Sequence, residues 1–218
     1  MAQFSADGNL ALSRRPLIPS PVMKPARLVD VPLVRATELS LEGFGEIVRD
    51  PKSHKVRIVP WPVKGHRALD SGTGDEGGTT EGIFACAWQG NELRGVNAAV
   101  GGDYVLGYRD APGHVHLWHC NYHPDGGQFF WPVDGRPFVV PAGPAGEDPD
   151  PAKFVAFWSD GSYGIYLHPD IWHEGPFPTA EQGRYFDKQG KVHGRVSCDL
   201  RSEFGLMLNV PLPATLDR

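Results

Sequence analysis

The chain has 218 residues, 21 Lys and Arg against 26 Asp and Glu, and a formal net charge of −5, so it carries no basic surplus for a nucleic-acid or anionic-membrane partner. Its length suits one well-buried domain, and 27 Gly with 21 Pro interrupt it too often for long helices, favouring short strands and turns. Cys86, Cys120 and Cys198 stand at wide spacings with no Cys-x-x-Cys, which argues against a disulfide framework and against a thiolate zinc site.

In chain order, residues 1–26 mix Ser, Pro and Arg without a sustained period and are expected to form an N-terminal arm, with 27–218 as a single β domain. No apolar run approaches the ~20 residues of a membrane span. Arg14-Arg15 runs into prolines that spoil an export signal, so a cytoplasmic protein is expected. Residues 28–34 are predicted to be an edge strand interrupted by Pro32. Residues 37–42 carry the Thr and Ser of a short helix start, cut off by Gly43 and Gly45, and 55–59 alternate as a half-exposed strand. Residues 71–82, rich in Gly, Thr and acid, have almost nothing to bury and are predicted to form a surface loop. Strands then follow over 83–88, 96–100, 104–108, 114–123, 138–140, 154–158, 163–168, around Trp172-His173, and over 203–210. Short strands at intervals of about ten residues, with no helix between them, predict an antiparallel β-sandwich or barrel.

The most informative stretch is His119-Cys120-Asn121-Tyr122-His123-Pro124-Asp125-Gly126-Gly127-Gln128. If it is extended up to Pro124, alternation puts His119, Asn121 and His123 on one face. The Pro-Asp-Gly-Gly segment can then reverse the chain and return Gln128 beside His123. His119 lies about 13 Å along the strand from His123, so it suits a role as acid, base or supporting residue better than joint ligation of one ion. His114 and His116 fall on the opposite face, and His168 sits before Pro169 as a reserve ligand.

The spacing of Asn121, His123, Gln128 and Gly135 resembles the first cupin motif, in which two His and a Glu hold a divalent metal inside a small β-barrel; here Asn and Gln replace one His and the Glu. More narrowly, His123-Pro124 with Gln128-x-Phe130-x-Pro132, Gly164-Ile165 and Trp172-His173, preceded by Leu39-Ser40 and Phe44 to Val48, resembles the ureidoglycolate lyase family over roughly residues 37–177. The resemblance implies a cupin-type antiparallel β-barrel (a double-stranded β-helix or jelly roll). It also implies cleavage of the C–N bond of ureidoglycolate to glyoxylate and urea, within the allantoin branch of purine breakdown. His119, His123, Gln128 and His173 are then the catalytic candidates. Arg109, Asn121 and Tyr166 are the substrate-binding candidates, Arg109 because a guanidinium matches a substrate carboxylate. His123, Gln128 and His173 would hold a divalent ion such as Ni, Zn or Mn. A homodimer is expected, as cupins commonly pair through strands. Glu174-Gly175-Pro176 departs from the relatives' pattern, and residues 178–202 look like an added polar insertion. Rival readings are a metal-dependent oxygenase or isomerase, and a cupin that binds a small acid without catalysis.

Overall fold

Proline and glycine set the path of this chain by ending nearly every strand within a few residues. The structure, a computed structural model, describes residues 26–60, 62, 64–70 and 77–216. Strands are numbered here in chain order. The larger sheet runs, edge to edge, β1 (Arg27–Asp30), β17 (Leu206–Pro211), β7 (His114–Leu117), β6 (Gly102–Tyr108), β5 (Glu92–Asn97), β4 (Thr79–Gln89), β15 (Gln182–Gly190), β9 (Gln128–Pro132), β12 (Gly164–Leu167) and β3 (Gly45–Val48). The smaller sheet runs β16 (Val196–Asp199), β8 (His119–Tyr122), β13 (Trp172–His173), β10 (Phe138–Gly143), β11 (Val155–Ser159) and β2 (Leu33–Arg35), with β14 (Phe177–Pro178) also on β10. Pairings are antiparallel except β1 with β17 and β2 with β11.

The mostly-β fold expected from the sequence is present, with one correction: the sheets remain open and are not closed into a barrel. Residues 114–123 show why. This extended stretch breaks at Trp118, so β7 ends in the larger sheet and β8 begins in the smaller. The chain turns the corner where the hydrogen-bond ladder stops. The core lies between the sheets and includes Phe84, Leu106, Leu117, Phe130, Phe138, Phe157, Ile165 and Trp172. On the other face of β9 and β12, Phe129 and Tyr166 pack with Val48 in a separate cluster, because residues on one strand alternate between its faces.

Several local expectations need revision. Residues 28–34 form two strands, and Pro32 between them sends β1 and β2 to the edges of different sheets. Residues 37–42 form a turn and not a helix. Thr37 and Ser40 do satisfy each other's backbone N–H groups through their hydroxyls, at 2.9 and 3.0 Å, but Gly43 takes φ 82° and reverses the chain. Residues 55–59 are irregular, with one bridge from Ile58 to Gly126. Thr79 to Gly82 open β4 and are not loop; an added Cβ at Gly82 would stand 2.5 Å from the Ala99 nitrogen, so the strand needs glycine there. The expected arm, up to residue 25, and residues 71–76 of the expected loop lie outside the described residues.

The largest revision concerns residues 178–202. They are no insertion: they form β14's end, β15, β16 and α1 (Leu200–Phe204), and β15 lies in the middle of the larger sheet between β4 and β9. Helix α1 starts on Asp199, whose side chain accepts from the Arg201 and Ser202 amides, and stops at Gly205 with φ 67°. Phe130, fully buried on β9 and paired opposite Ile165, joins this strand pair to the core. Phe130→Ala is expected to lower stability by about 3–5 kcal/mol, measured by chemical denaturation.

Candidate functional site

A buried cavity opens where the ends of both sheets meet. Its lining comes from β4 (Phe84), β5 (Asn97), β6 (Tyr104), β8 (Asn121), the turn after it (His123), β9 (Gln128), β13 and its exit (His173, Glu174, Gly175), and the link from β15 to β16 (His193, Arg195). Strand register assembles it: His173 lies opposite Asn121, and Gln128 lies opposite Gln189. The tight turn at residues 124–127 brings His123 and Gln128 to one place, as the Pro-Asp-Gly-Gly sequence predicts. The ring centroids of His123 and His173 are 5.4 Å apart.

A third imidazole, His193, stands 4.9 Å from His123, centroid to centroid. It sits at φ 48°, a conformation uncommon outside glycine. The buried Asp125 packs against this turn. The nearby His193 and Gly194 amides draw its pKa down, but burial dominates and raises it; the His193 amide itself donates to Gly190 O at 3.2 Å. At Gly194 an added Cβ would stand 2.9 Å from Asp125 Oδ1.

Each imidazole has its Nδ1 committed. His123 Nδ1 is 2.8 Å from Gly194 O, His173 Nδ1 is 2.8 Å from Ile171 O, and His193 Nδ1 is 2.9 Å from Gln189 Oε1. An oxygen acceptor at Nδ1 calls for the N–H there, leaving Nε2 bare in the neutral ring. The rings are indeed held neutral. Burial pushes the pKa of His123 well below its ordinary value, with the neighbouring imidazoles adding to the effect. Burial likewise lowers His173, and burial together with the Arg195 charge brings His193 down to about 4.

The other end of the cavity carries charge. Glu174 is buried, yet its carboxyl stays below the usual range: desolvation pushes it up, and the attraction of His119, assisted by Arg195 and the Gly175 amide, outweighs that cost. His119 Nδ1 lies 3.0 Å from Glu174 Oε2, Asn121 Nδ2 donates to the same oxygen at 3.1 Å, and the Arg195 guanidinium is 4.0 Å away. Arg195 also lies over the Tyr104 ring at 5.3 Å. Asn121 Oδ1, buried in this region, has no hydrogen-bond partner within the protein, while Arg195 Nε faces the Asp70 carboxylate at 3.6 Å. An acceptor without a partner on a residue lining the cavity is a place for a ligand to bind.

Between the two halves is Asp187, fully buried on β15. Its carboxylate accepts from Gln128 Nε2 at 2.7 Å, Gln189 Nε2 at 2.7 Å and Asn97 Nδ2 at 2.9 Å.

Of the residues singled out from sequence, His123, Gln128, His173 and Asn121 converge on the cavity, and three do not reach it. Arg109 is on the hairpin surface, its guanidinium engaged by both carboxylate oxygens of Glu181 at 2.8 Å and stacked on Trp88 at 4.1 Å. Tyr166 faces the opposite side of β12, where its hydroxyl accepts from the Arg57 amide at 3.0 Å. His119 stands behind Glu174 with its second nitrogen 3.2 Å from Val105 O, so no ring nitrogen is left for a substrate. His168 pairs with Glu46 at 3.3 Å outside the cavity. Sequence reading missed His193, Arg195, Glu174 and Asp187. The signal for Asp187 was the alternation of Gly183, Tyr185, Asp187 and Gln189, all facing inward on β15.

Among the described residues no three His, Cys, Asp or Glu side chains form a metal cage. Two imidazoles and an amide oxygen remain as donors. His173 Nε2 and Gln128 Oε1 stand 3.1 Å apart, and with both Nδ1 and the Gln128 amide nitrogen already donating elsewhere, these are two acceptors facing one another. A cation between such atoms relieves the conflict, so the residues fit a weakly held divalent ion of neutral N,N,O ligation.

Burial raises the Asp187 pKa from 3.8 to about 6, against the opposing pull of its three amide donors. Between those values the folded protein holds a proton that the unfolded chain has lost, so this group's contribution to stability falls as pH rises through about 4 to 6. Wild type is therefore expected to lose about 3 kcal/mol relative to Asp187→Asn across that window, read from denaturation midpoints at stepped pH. A difference that stays constant with pH contradicts the shifted carboxyl.

Comparison with known proteins identifies the family. The sequence profile of the ureidoglycolate lyase family matches residues 31–199. Ureidoglycolate lyase from Stutzerimonas stutzeri is 42% identical over 80 residues, 35% of this chain and 45% of that protein. The enzyme of that name from Pseudomonas syringae pv. tomato is 40% identical over 60 residues, 28% of this chain and 35% of the relative. In each case the alignment spans less than half the length of the curated relative. With the family profile running from β2's approach to the last residue of β16, and so through every strand that builds the cavity, the chain belongs to the ureidoglycolate lyase family.

Proposed function

We propose that this cavity binds ureidoglycolate and eliminates urea from it, leaving glyoxylate. The observation that carries the reading is the pairing, in one buried site, of the Arg195 guanidinium and a set of neutral imidazole and amide acceptors. The substrate has the complementary pattern: a carboxylate at one end, and hydroxyl and ureido N–H donors at the other.

Arg195 takes the role that sequence reading gave to Arg109 and receives the substrate carboxylate, with Glu174 and Tyr104 holding the guanidinium in place. Asn121 Oδ1 and Gln128 Oε1 accept from the ureido N–H groups. His193 takes the hydroxyl proton at Nε2. The electron pair of that O–H bond forms the carbonyl of glyoxylate, and the C–N pair leaves with the ureido nitrogen. The imidazolium returns its proton to that nitrogen, so urea departs neutral. Arg195 is one of the groups that depress His193; a bound carboxylate screens that charge and makes the imidazole a better base when substrate is present. A divalent ion, Ni, Zn or Mn, would be held by His123, His173 and Gln128 and would supply Lewis acidity toward a substrate oxygen. The reading places the protein in the cytoplasm, in the allantoin branch of purine breakdown, as a homodimer.

Urea and glyoxylate are expected in equal amounts when purified wild type is given ureidoglycolate; no release by folded protein ends this reading. His193→Ala is expected to lower kcat by about 10²–10⁴-fold, whereas Arg195→Met is expected to act first on KM, and Arg109→Ala to leave both unchanged. The homodimer is checked separately: elution on gel filtration as a 23.8 kDa monomer excludes it.

A further inference from the structure

We infer that Asp187 is a positioning residue of this site: through two glutamine side chains its carboxylate fixes which face of each amide, and hence which nitrogen of His193, is turned to the bound substrate. The inference rests on reading the cavity as a lyase site and adds to it a residue that does not line the cavity.

An ionised carboxylate only accepts hydrogen bonds. Any amide that meets it must present its NH2 group and turn its oxygen the other way. Gln128 meets Oδ1 at 2.7 Å, and its own oxygen then lies 3.1 Å from His173 Nε2. Gln189 meets Oδ2 at 2.7 Å, and its oxygen then lies 2.9 Å from His193 Nδ1. The oxygen demands a donor, so His193 carries its proton on Nδ1 and leaves Nε2 bare. Asn97 is the third spoke, donating to Asp187 at 2.9 Å and accepting the Ala99 amide at 2.9 Å, which ties the group to the turn after β5.

His173 is constrained from both sides. Ile171 O takes its Nδ1 hydrogen at 2.8 Å, so Gln128 Oε1 and His173 Nε2 meet with no proton to share. That geometry recruits a donor from whatever binds between them. A carboxamide rotated by half a turn is nearly the same shape, so without a charge on Asp187 nothing in the packing alone would choose this orientation for Gln128 or Gln189. Among the described residues no cation pairs with Asp187, so its charge is satisfied wholly by the amides it orients.

The test is ring-nitrogen NMR of histidine in the full-length protein at pH 7.5, alongside kcat and KM for urea release. In wild type His193 is expected to show Nδ1 protonated and Nε2 bare. Asp187→Asn places an NH2 group at the hub and forces one amide to reverse; His193 is expected to shift toward the Nε2-protonated form, and kcat to fall about 10–100-fold with KM within about threefold. Gln189→Met cuts only the spoke to His193 and is expected to change the His193 tautomer while the His173 resonances stay as in wild type; this variant decides the matter if Asp187→Asn does not fold. A wild-type tautomer at His193 in folded Gln189→Met overturns the inference, as does folded Asp187→Asn in which the resonances of both His193 and His173 stay as in wild type. Should wild type release no urea, the lyase reading fails while the tautomer measurement still decides the role of Asp187.

Discussion

A carboxylate buried without a cation is the constraint on which the rest of this molecule turns. Asp187 sits in the middle of β15, at no exposure, where a charge would cost several kcal/mol if left alone. Three amide donors converge on it from β5, β9 and β15 itself. To be there, these amides need the registers that place Gln128 opposite Gln189 and Asn97 opposite Phe84. Slippage by one residue would turn each of them to the other face of its strand and abandon the charge. Polar satisfaction and strand register thus support each other in this part of the sheet.

The same requirement gives the cavity its chemical character. Amides that donate to Asp187 show their oxygens to the imidazoles, and imidazoles that donate through Nδ1 to Gly194, Ile171 and Gln189 show bare nitrogens to the interior. Burial keeps those rings neutral, so acceptors accumulate at one end. Arg195 and Glu174 set the opposite polarity at the other, with Glu174 attached to the neutral half through Asn121. A cavity with this division discriminates by the order of groups along a ligand: carboxylate first, hydrogen-bond donors after.

Much of this was legible in the sequence, where local rules decide. Strand alternation before Pro124 and the turn chemistry of residues 124–127 were sufficient to bring His123, Asn121 and Gln128 together, and the spacing to Trp172-His173 carried the second imidazole. Three other assignments depended on which way a side chain faced in a sheet not yet built. Arg109 lies in a hairpin whose partner, Glu181, comes from 72 residues away. Tyr166 is directed outward by the pairing of β12 with β9, which sets it beside Phe129 instead of Gln128. His119 has the predicted face but meets Glu174 before it can meet a ligand. Residues 182–190 were passed over because their inward positions carry Gly, Tyr, Asp and Gln. Hydrophobic alternation is the usual mark of a half-buried strand, and a strand that buries a polar network does not show it.

The link from β15 to β16 follows from the same logic at a smaller scale. It must carry His193 and Arg195 to the cavity within five residues of the end of β15, so the chain takes a positive φ at His193, costly for a side chain with a Cβ. The His193 amide closes the turn on Gly190 O at 3.2 Å, and Gly190 and Gly194 leave the space occupied by the carboxylate of Asp125, from the turn that also carries His123. Gly194 in turn offers its carbonyl to His123 Nδ1. One turn therefore orients the other. The motif around His123 and the loop bearing His193, distant in sequence, are tied by that bond, and the acidic residue inside the Pro-Asp-Gly-Gly turn fills the space against Gly190 and Gly194 as well as forming the turn.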